Sequence, residues 1–172
     1  LDGLPAREKR AGLIEGVKVA LLRDPGFFAA MEARADALAA LEPAAVELVV
    51  RRSAELHLEH IAAGGDPFEL GSARPLDFGH WVAHKIEPSS GYRIHHGEAV
   101  AIGMAVDLVY ARRIGLLAAG DCERILRLIE RTAGSMTMRH DGSDVDLSTL
   151  QGEQLRTFRK HVQMIFQDPF SS

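Results

Sequence analysis

Several things are scarce in this sequence, and each absence narrows the reading. The 172 residues include a single cysteine, Cys122. One cysteine cannot close an internal disulfide, which excludes a secreted disulfide scaffold and leads us to expect a reduced, cytoplasmic setting. Long hydrophobic runs are missing too. The longest, Ala99 to Val109, is interrupted by Asp107, well short of the roughly 20 apolar residues a membrane span requires. No secretory signal is legible. The chain opens on Leu1, and the expectation is a piece of a longer protein. Charge of one sign is lacking as well: the net charge is -4 with histidine neutral, so bulk electrostatics predict no nucleic-acid partner. Finally, no G-x-x-x-x-G-K-[ST] loop and no strand–glycine-rich turn–helix unit occurs. That excludes a phosphate or dinucleotide cradle built by these residues alone.

What is present is enough apolar matter for one real core, 47% of the residues. Leu13, Val17, Ala20 and Leu21 recur at helical spacing within Ala6 to Arg23, and Asp24-Pro25-Gly26 stops that helix. Phe27 to Leu41 reads as a second helix and Pro43 to about Ala63 as a third, with Pro43 suited to a first turn. Residues 64–76 carry glycine, proline and serine and read as a loop. His80 to Glu87 predicts a short helix, Glu98 to Ile114 a long buried one whose Gly103 implies a close neighbour, and Asp121 to Thr132 an amphipathic one. The first 133 residues are therefore mainly all-α by pattern. From Gly134 the character changes: Met136 to Thr149 is polar, with a turn signal at Asp141-Gly142-Ser143-Asp144. Gln151 to Lys160 reads as a helix and Val162 to Phe166 as a strand, giving a short α/β tail over residues 134–172.

Five of the eight histidines fall between His80 and His140. His80 and His84 are four apart and share one helix face, and His95-His96-Gly97-Glu98 stands at the mouth of the buried helix. Imidazoles and a carboxylate converging on one point suit a catalytic zinc with an open position. Spacing alone leaves a plainer alternative, since histidines four apart are common on helices. Glu15 and Lys18 lie three apart in the apolar run Gly12 to Leu22. They are either a ligand with an anion holder or a weak ion pair on a solvated face. Trp81, Met31, Met104 and the helix Val100 to Val109 are expected to pack the core. His57 and His60 are expected on a partly exposed face, and the charges from Arg124 to Arg131 on a solvated one.

Three blocks carry a resemblance. Arg10-Ala-Gly-Leu-Ile-Glu15-Gly-Val-Lys18, Leu76-Asp77-Phe78-Gly79-His80-Trp-Val-Ala-His84-Lys-Ile-Glu87 and His96-Gly97-Glu98-Ala99-Val100-Ala101-Ile102-Gly103-Met104 occur in order. With their spacing, they resemble the C-terminal domain of the dehydroquinate synthase family over about residues 5 to 133. The resemblance implies that Glu15, His80 and His96 are metal ligands, for zinc or cobalt. It implies that Lys18 and His84 bind substrate and take part in catalysis, with Arg74 and Asp77 also contacting substrate. It further implies NAD, held mainly by an N-terminal α/β domain that these residues do not contain. The implied reaction is a sugar-phosphate cyclisation: transient oxidation by NAD, phosphate elimination, return of the hydride and closure of a carbocycle. A piece without that domain is expected to be inactive alone, and its uncovered face raises a homodimer as one partner.

Two departures bear on substrate. Asp77 stands where dehydroquinate synthases place asparagine, and Glu55-Leu-His-Leu-Glu-His60 where they carry a substrate lysine. In the first, the chain is similar to cyclases acting on sedoheptulose phosphate, the epi-valiolone synthases. The tail from about residue 136 to 172 resembles a different family, the Q-loop region of peptide-type ATP-binding-cassette ATPases, most specifically from Val162 to Ser172 with Gln167 at the glutamine. Without a phosphate loop it is not an ATPase by itself, and the chain reads as a chimera. Two other readings stay open: a metal-dependent alcohol dehydrogenase-like domain, and a non-catalytic helical interaction module that binds no metal at Glu15, His80 and His96.

Overall fold

The computed structural model describes residues 3–64, 77–134, 137–140 and 143–146. The chain divides into two compact units, Leu1–Gly134 and Ser135–Ser172. The first holds seven helices among its described residues: α1 (Ala6–Arg23), α2 (Pro25–Glu32), α3 (Ala35–Ala39), α4 (Pro43–Gly64), α5 (His80–Ser89), α6 (His96–Arg113) and α7 (Ala119–Ala133).

The central helix is α1, which packs against α2, α4, α6 and α7. Its Leu13, Ile14, Val17 and Ala20 are buried, as are Met31, Leu38, Val49, Met104, Leu128 and Ile129 from the surrounding helices. Each large side chain of this kind contributes about 1.5–3 kcal/mol on burial. Met31 and Met104 thus fill the core as the sequence suggests.

The predicted second helix is in fact two. Asp24 caps α2, its carboxylate accepting from the Phe27 amide at 2.9 Å, and Pro25 takes the first turn. The chain then breaks at Ala33 and Arg34, where Arg34 leaves helical geometry and α3 restarts at Ala35. No glycine or proline forces the break, so tertiary contacts override propensity. Glu32 pairs with Arg124 and Asp36 with Arg131, both on α7, and the two short helices reach these partners while burying Phe27, Phe28, Met31 and Leu38. The Arg124–Arg131 face of α7 is therefore exposed but ion-paired. Trp81 corrects a second expectation. It is 66% exposed on α5 and does not pack the core.

In the second unit, β1 (Thr137–His140) pairs antiparallel with β2 (Ser143–Asp146), Thr137 opposite Asp146 and His140 opposite Ser143. The sequence predicted a polar turn there but not the strands around it. The predicted helix from Gln151, the strand from Val162 and Gln167 lie outside the described residues. Among the described residues no helix is long and apolar enough to cross a membrane.

Candidate metal centre

Three helices meet at one point, and a glycine stands beside the side chain each delivers. Glu15 on α1 precedes Gly16, where an added Cβ would lie 2.4 Å from Val49 Cγ1 of α4. His96 opens α6 and precedes Gly97, where a Cβ would lie 2.4 Å from Ala11 Cα, one turn before Glu15 on α1. His80 opens α5 after Gly79, whose φ of +77° is a left-handed conformation that glycine adopts freely. A Cβ on Gly103 of α6 would sit 1.8 Å from the Gly79 carbonyl oxygen. The Gly79 amide donates to Asp107 Oδ2 at 2.9 Å. Backbone thus touches backbone where α1, α5 and α6 cross, and the three side chains inherit that closeness.

Glu15, His80 and His96 each offer a ligand atom, all within 4.8 Å of one another. The Nε2 atoms of His80 and His96 both stand 3.8 Å from Glu15 Oε1. That oxygen is buried and has no hydrogen-bond partner among the described residues. A buried carboxylate oxygen left unpaired is costly, so its isolation needs an explanation. The other ring nitrogens supply one. His80 Nδ1 lies 3.1 Å from the Phe78 carbonyl and His96 Nδ1 3.3 Å from Glu87 Oε2. Both neighbours only accept, so a proton on each Nδ1 satisfies them, and in that tautomer each Nε2 presents a lone pair. In that tautomer two imidazole lone pairs and one carboxylate lone pair converge, the arrangement a divalent cation relieves. The residues fit a zinc-type ion.

Lys18 is only 6% exposed, and its ammonium lies 2.7 Å from Glu15 Oε2. The carboxylate is thereby split, one oxygen held by Lys18 and the other facing the histidines. His84 sits on the rim, its side chain 67% exposed and its Nδ1 3.7 Å from Glu87 Oε2. Its ring centroid lies 5.8 Å from that of His80 and 6.2 Å from that of His96. Asp77 is exposed, and its carbonyl accepts from the His80 amide at 2.8 Å. Arg74 lies outside the described residues. His57 is exposed on α4, where Arg52 pairs with Asp24, Glu55 and Glu59.

Sequence reasoning missed the clamp at the mouth of the site. Arg7 of α1 donates to both Glu98 oxygens, at 2.6 and 2.5 Å, and to the Arg93 carbonyl at 2.8 Å. Glu98 also accepts from the His95 amide at 2.8 Å, closing the start of α6. Burial pushes the Glu98 carboxyl up, yet the hydrogen bonds from Arg7 and the His95 amide outweigh it and hold the group below its usual range. The arginine–carboxylate fork fixes α6 to α1 beside His96.

The profile of the 3-dehydroquinate synthase C-terminal domain matches residues 12–155. The chain belongs to the 3-dehydroquinate synthase family. The match runs further along the chain than the three motifs alone reach, and the stretch from Val162 lies beyond it. The 3-dehydroquinate synthase of Acidithiobacillus ferrooxidans (strain ATCC 53993 / BNL-5-31) is 41% identical over 133 residues, covering 77% of this chain and 36% of that protein. The 2-epi-5-epi-valiolone synthase of Streptomyces glaucescens is 43% identical over 132 residues, covering 76% of this chain and 34% of that protein. The chain thus spans about a third of the length of these curated relatives. Among solved structures, the 2-epi-5-epi-valiolone synthase of Streptomyces hygroscopicus subsp. jinggangensis, with NAD+ and Zn2+ bound, superposes with a TM-score of 0.65 at 26% identity. That superposition covers 93% of this chain and 53% of the other.

Proposed function

We propose that Glu15, His80 and His96 hold a zinc ion, and that this chain is the metal- and substrate-binding part of a sugar-phosphate cyclase working in the cytoplasm. The observation that carries the reading is Glu15 Oε1, buried without a hydrogen-bond partner among the described residues and faced by two imidazole nitrogens. Family membership and the zinc in the related valiolone synthase support it.

A bound zinc supplies Lewis acidity, stabilising negative charge on substrate oxygens. The chain's own residues do the rest. Lys18 keeps Glu15 Oε2 occupied, leaving one carboxylate oxygen for the ion and a positive charge next to the place where an anionic substrate binds. His84 is exposed at the rim and is the group placed to pass a proton to or from a sugar phosphate. Asp77, exposed immediately before α5, is placed to select among substrate hydroxyls. Its carboxylate favours the cyclases of the valiolone type over those for which asparagine is usual. Arg74 belongs to the same proposal as a contact for the substrate's anionic groups. The NAD part of the chemistry rests on the relatives, because the described residues contain no strand–glycine turn–helix cradle.

The test is zinc titration of the purified chain beside a His80→Ala variant. The expected result is about one zinc per chain, lost in the variant. A folded chain that takes up no zinc would favour the helical interaction module instead.

A further inference from the structure

Glu87 entered the site above only as the acceptor beside His96 Nδ1 and a neighbour of His84, so it touches two of its histidines. It lies on α5, three residues after His84 and seven after His80. Its side chain is largely buried, and Oε2 stands 3.3 Å from His96 Nδ1 and 3.7 Å from His84 Nδ1. The first distance suits a weak hydrogen bond and the second a charge contact only. Helix α5 therefore approaches the metal point twice, with His80 as a ligand and with Glu87 behind the ligand that α6 delivers.

We propose that Glu87 is a positioning residue that fixes the His96 tautomer and ring orientation, so that Nε2 faces Glu15, and that it aligns His84 through the same oxygen. His96 needs such a partner. His80 has the Phe78 carbonyl of its own chain segment at its Nδ1, whereas His96 opens α6 with half of its side chain exposed and, among the described residues, no backbone acceptor at its ring. Without Glu87, water competes for Nδ1 and the ring is free to present either nitrogen. A carboxylate at the outer nitrogen of a metal-bound histidine also raises its basicity and typically changes metal affinity 10- to 100-fold. Because one oxygen serves both rings, a change at Glu87 reaches the metal ligand and the rim histidine together.

This inference rests on the proposed ligand set, and its test separates the two. Histidine 15N–1H correlation spectra of the metal-free chain read the His96 tautomer directly. The expected state carries the proton on Nδ1, and in Glu87→Gln, whose amide can accept or donate, that preference weakens. In parallel, chelator competition reads zinc affinity, expected to fall about 10- to 100-fold in Glu87→Gln at an unchanged thermal midpoint. Glu15→Gln serves as the control for the ligand set. A wild-type His96 protonated on Nε2, or a Glu87→Gln chain with wild-type tautomer and affinity, overturns the Glu87 assignment. A wild-type chain that shows the Nδ1 tautomer but binds no zinc overturns the ligand set and leaves the Glu87 contact standing. The wild-type spectrum needs no variant, so a Glu87→Gln chain that misfolds does not block the test.

Discussion

At the scale of residues, the centre depends on how one carboxylate is shared. Glu15 offers Oε2 to a buried ammonium and Oε1 to two imidazoles. Replacing Lys18 by methionine keeps the side chain's volume but removes the ammonium that pairs with that carboxylate. Removing one partner of a buried pair is destabilising because the other charge stays behind. Glu15 is about one-third exposed, so solvent screens part of the loss. The expected cost to the metal-free chain is about 1–3 kcal/mol, below that of a fully buried pair. Zinc then replaces the missing positive charge, so urea unfolding with and without zinc should show a larger gain in Lys18→Met than in wild type. An equal gain in both would mean that zinc does not bind at Glu15. The sequence showed Glu15 and Lys18 as neighbours, but their spacing alone favoured a solvated ion pair. Only the burial of Lys18 and the returning histidines separate the two.

At the scale of elements, the site is made by helix crossings at which backbones touch. Gly103→Ala places a methyl 1.8 Å from the Gly79 carbonyl oxygen, and α5 must move away from α6. The expected cost is about 1–3 kcal/mol or more, measured by urea unfolding, with a parallel loss of zinc affinity because His80 rides on α5. A stable variant with full affinity would show that the crossing does not set the site. The extents of α1, α4, α6 and α7 were readable to within a turn from stop signals and apolar spacing, although only α7 has one sharply apolar face. The break between α2 and α3 was not, because no glycine or proline marks it and only the fold shows Met31 and Leu38 buried on either side of it. Trp81 was misjudged for a related reason. Its residue type suggests the core, but α5 meets the body of the unit through Gly79, Ala83 and its histidine face, which leaves Trp81 outside. Glu87 could have been found as an i,i+3 partner of His84. Its contact with His96 needed the fold.

At the scale of the whole molecule, acid should loosen the unit through its caps before it reaches the core. Asp24 is held below its usual value of 3.8 by the Phe27 amide and by Arg52. Its folded value is therefore lower than its unfolded one. The stabilisation is fully present above the unfolded value and is lost as pH falls through the folded value, that is, below about pH 4. Asp24→Asn keeps an acceptor for Phe27 but removes the charge, so its stability should depend less on pH in that window than wild type. Urea midpoints at neutral pH and in the acid window check this, and equal losses would mean the carboxylate is not the sensor.

The central claim is the ligand set, and X-ray absorption at the zinc edge of the loaded chain reads it most directly. The account predicts a first shell of nitrogen and oxygen only, with two imidazoles, and one imidazole fewer, or no bound zinc, in His96→Ala. A sulfur scatterer, or a wild-type spectrum that His96→Ala leaves unchanged, would contradict it.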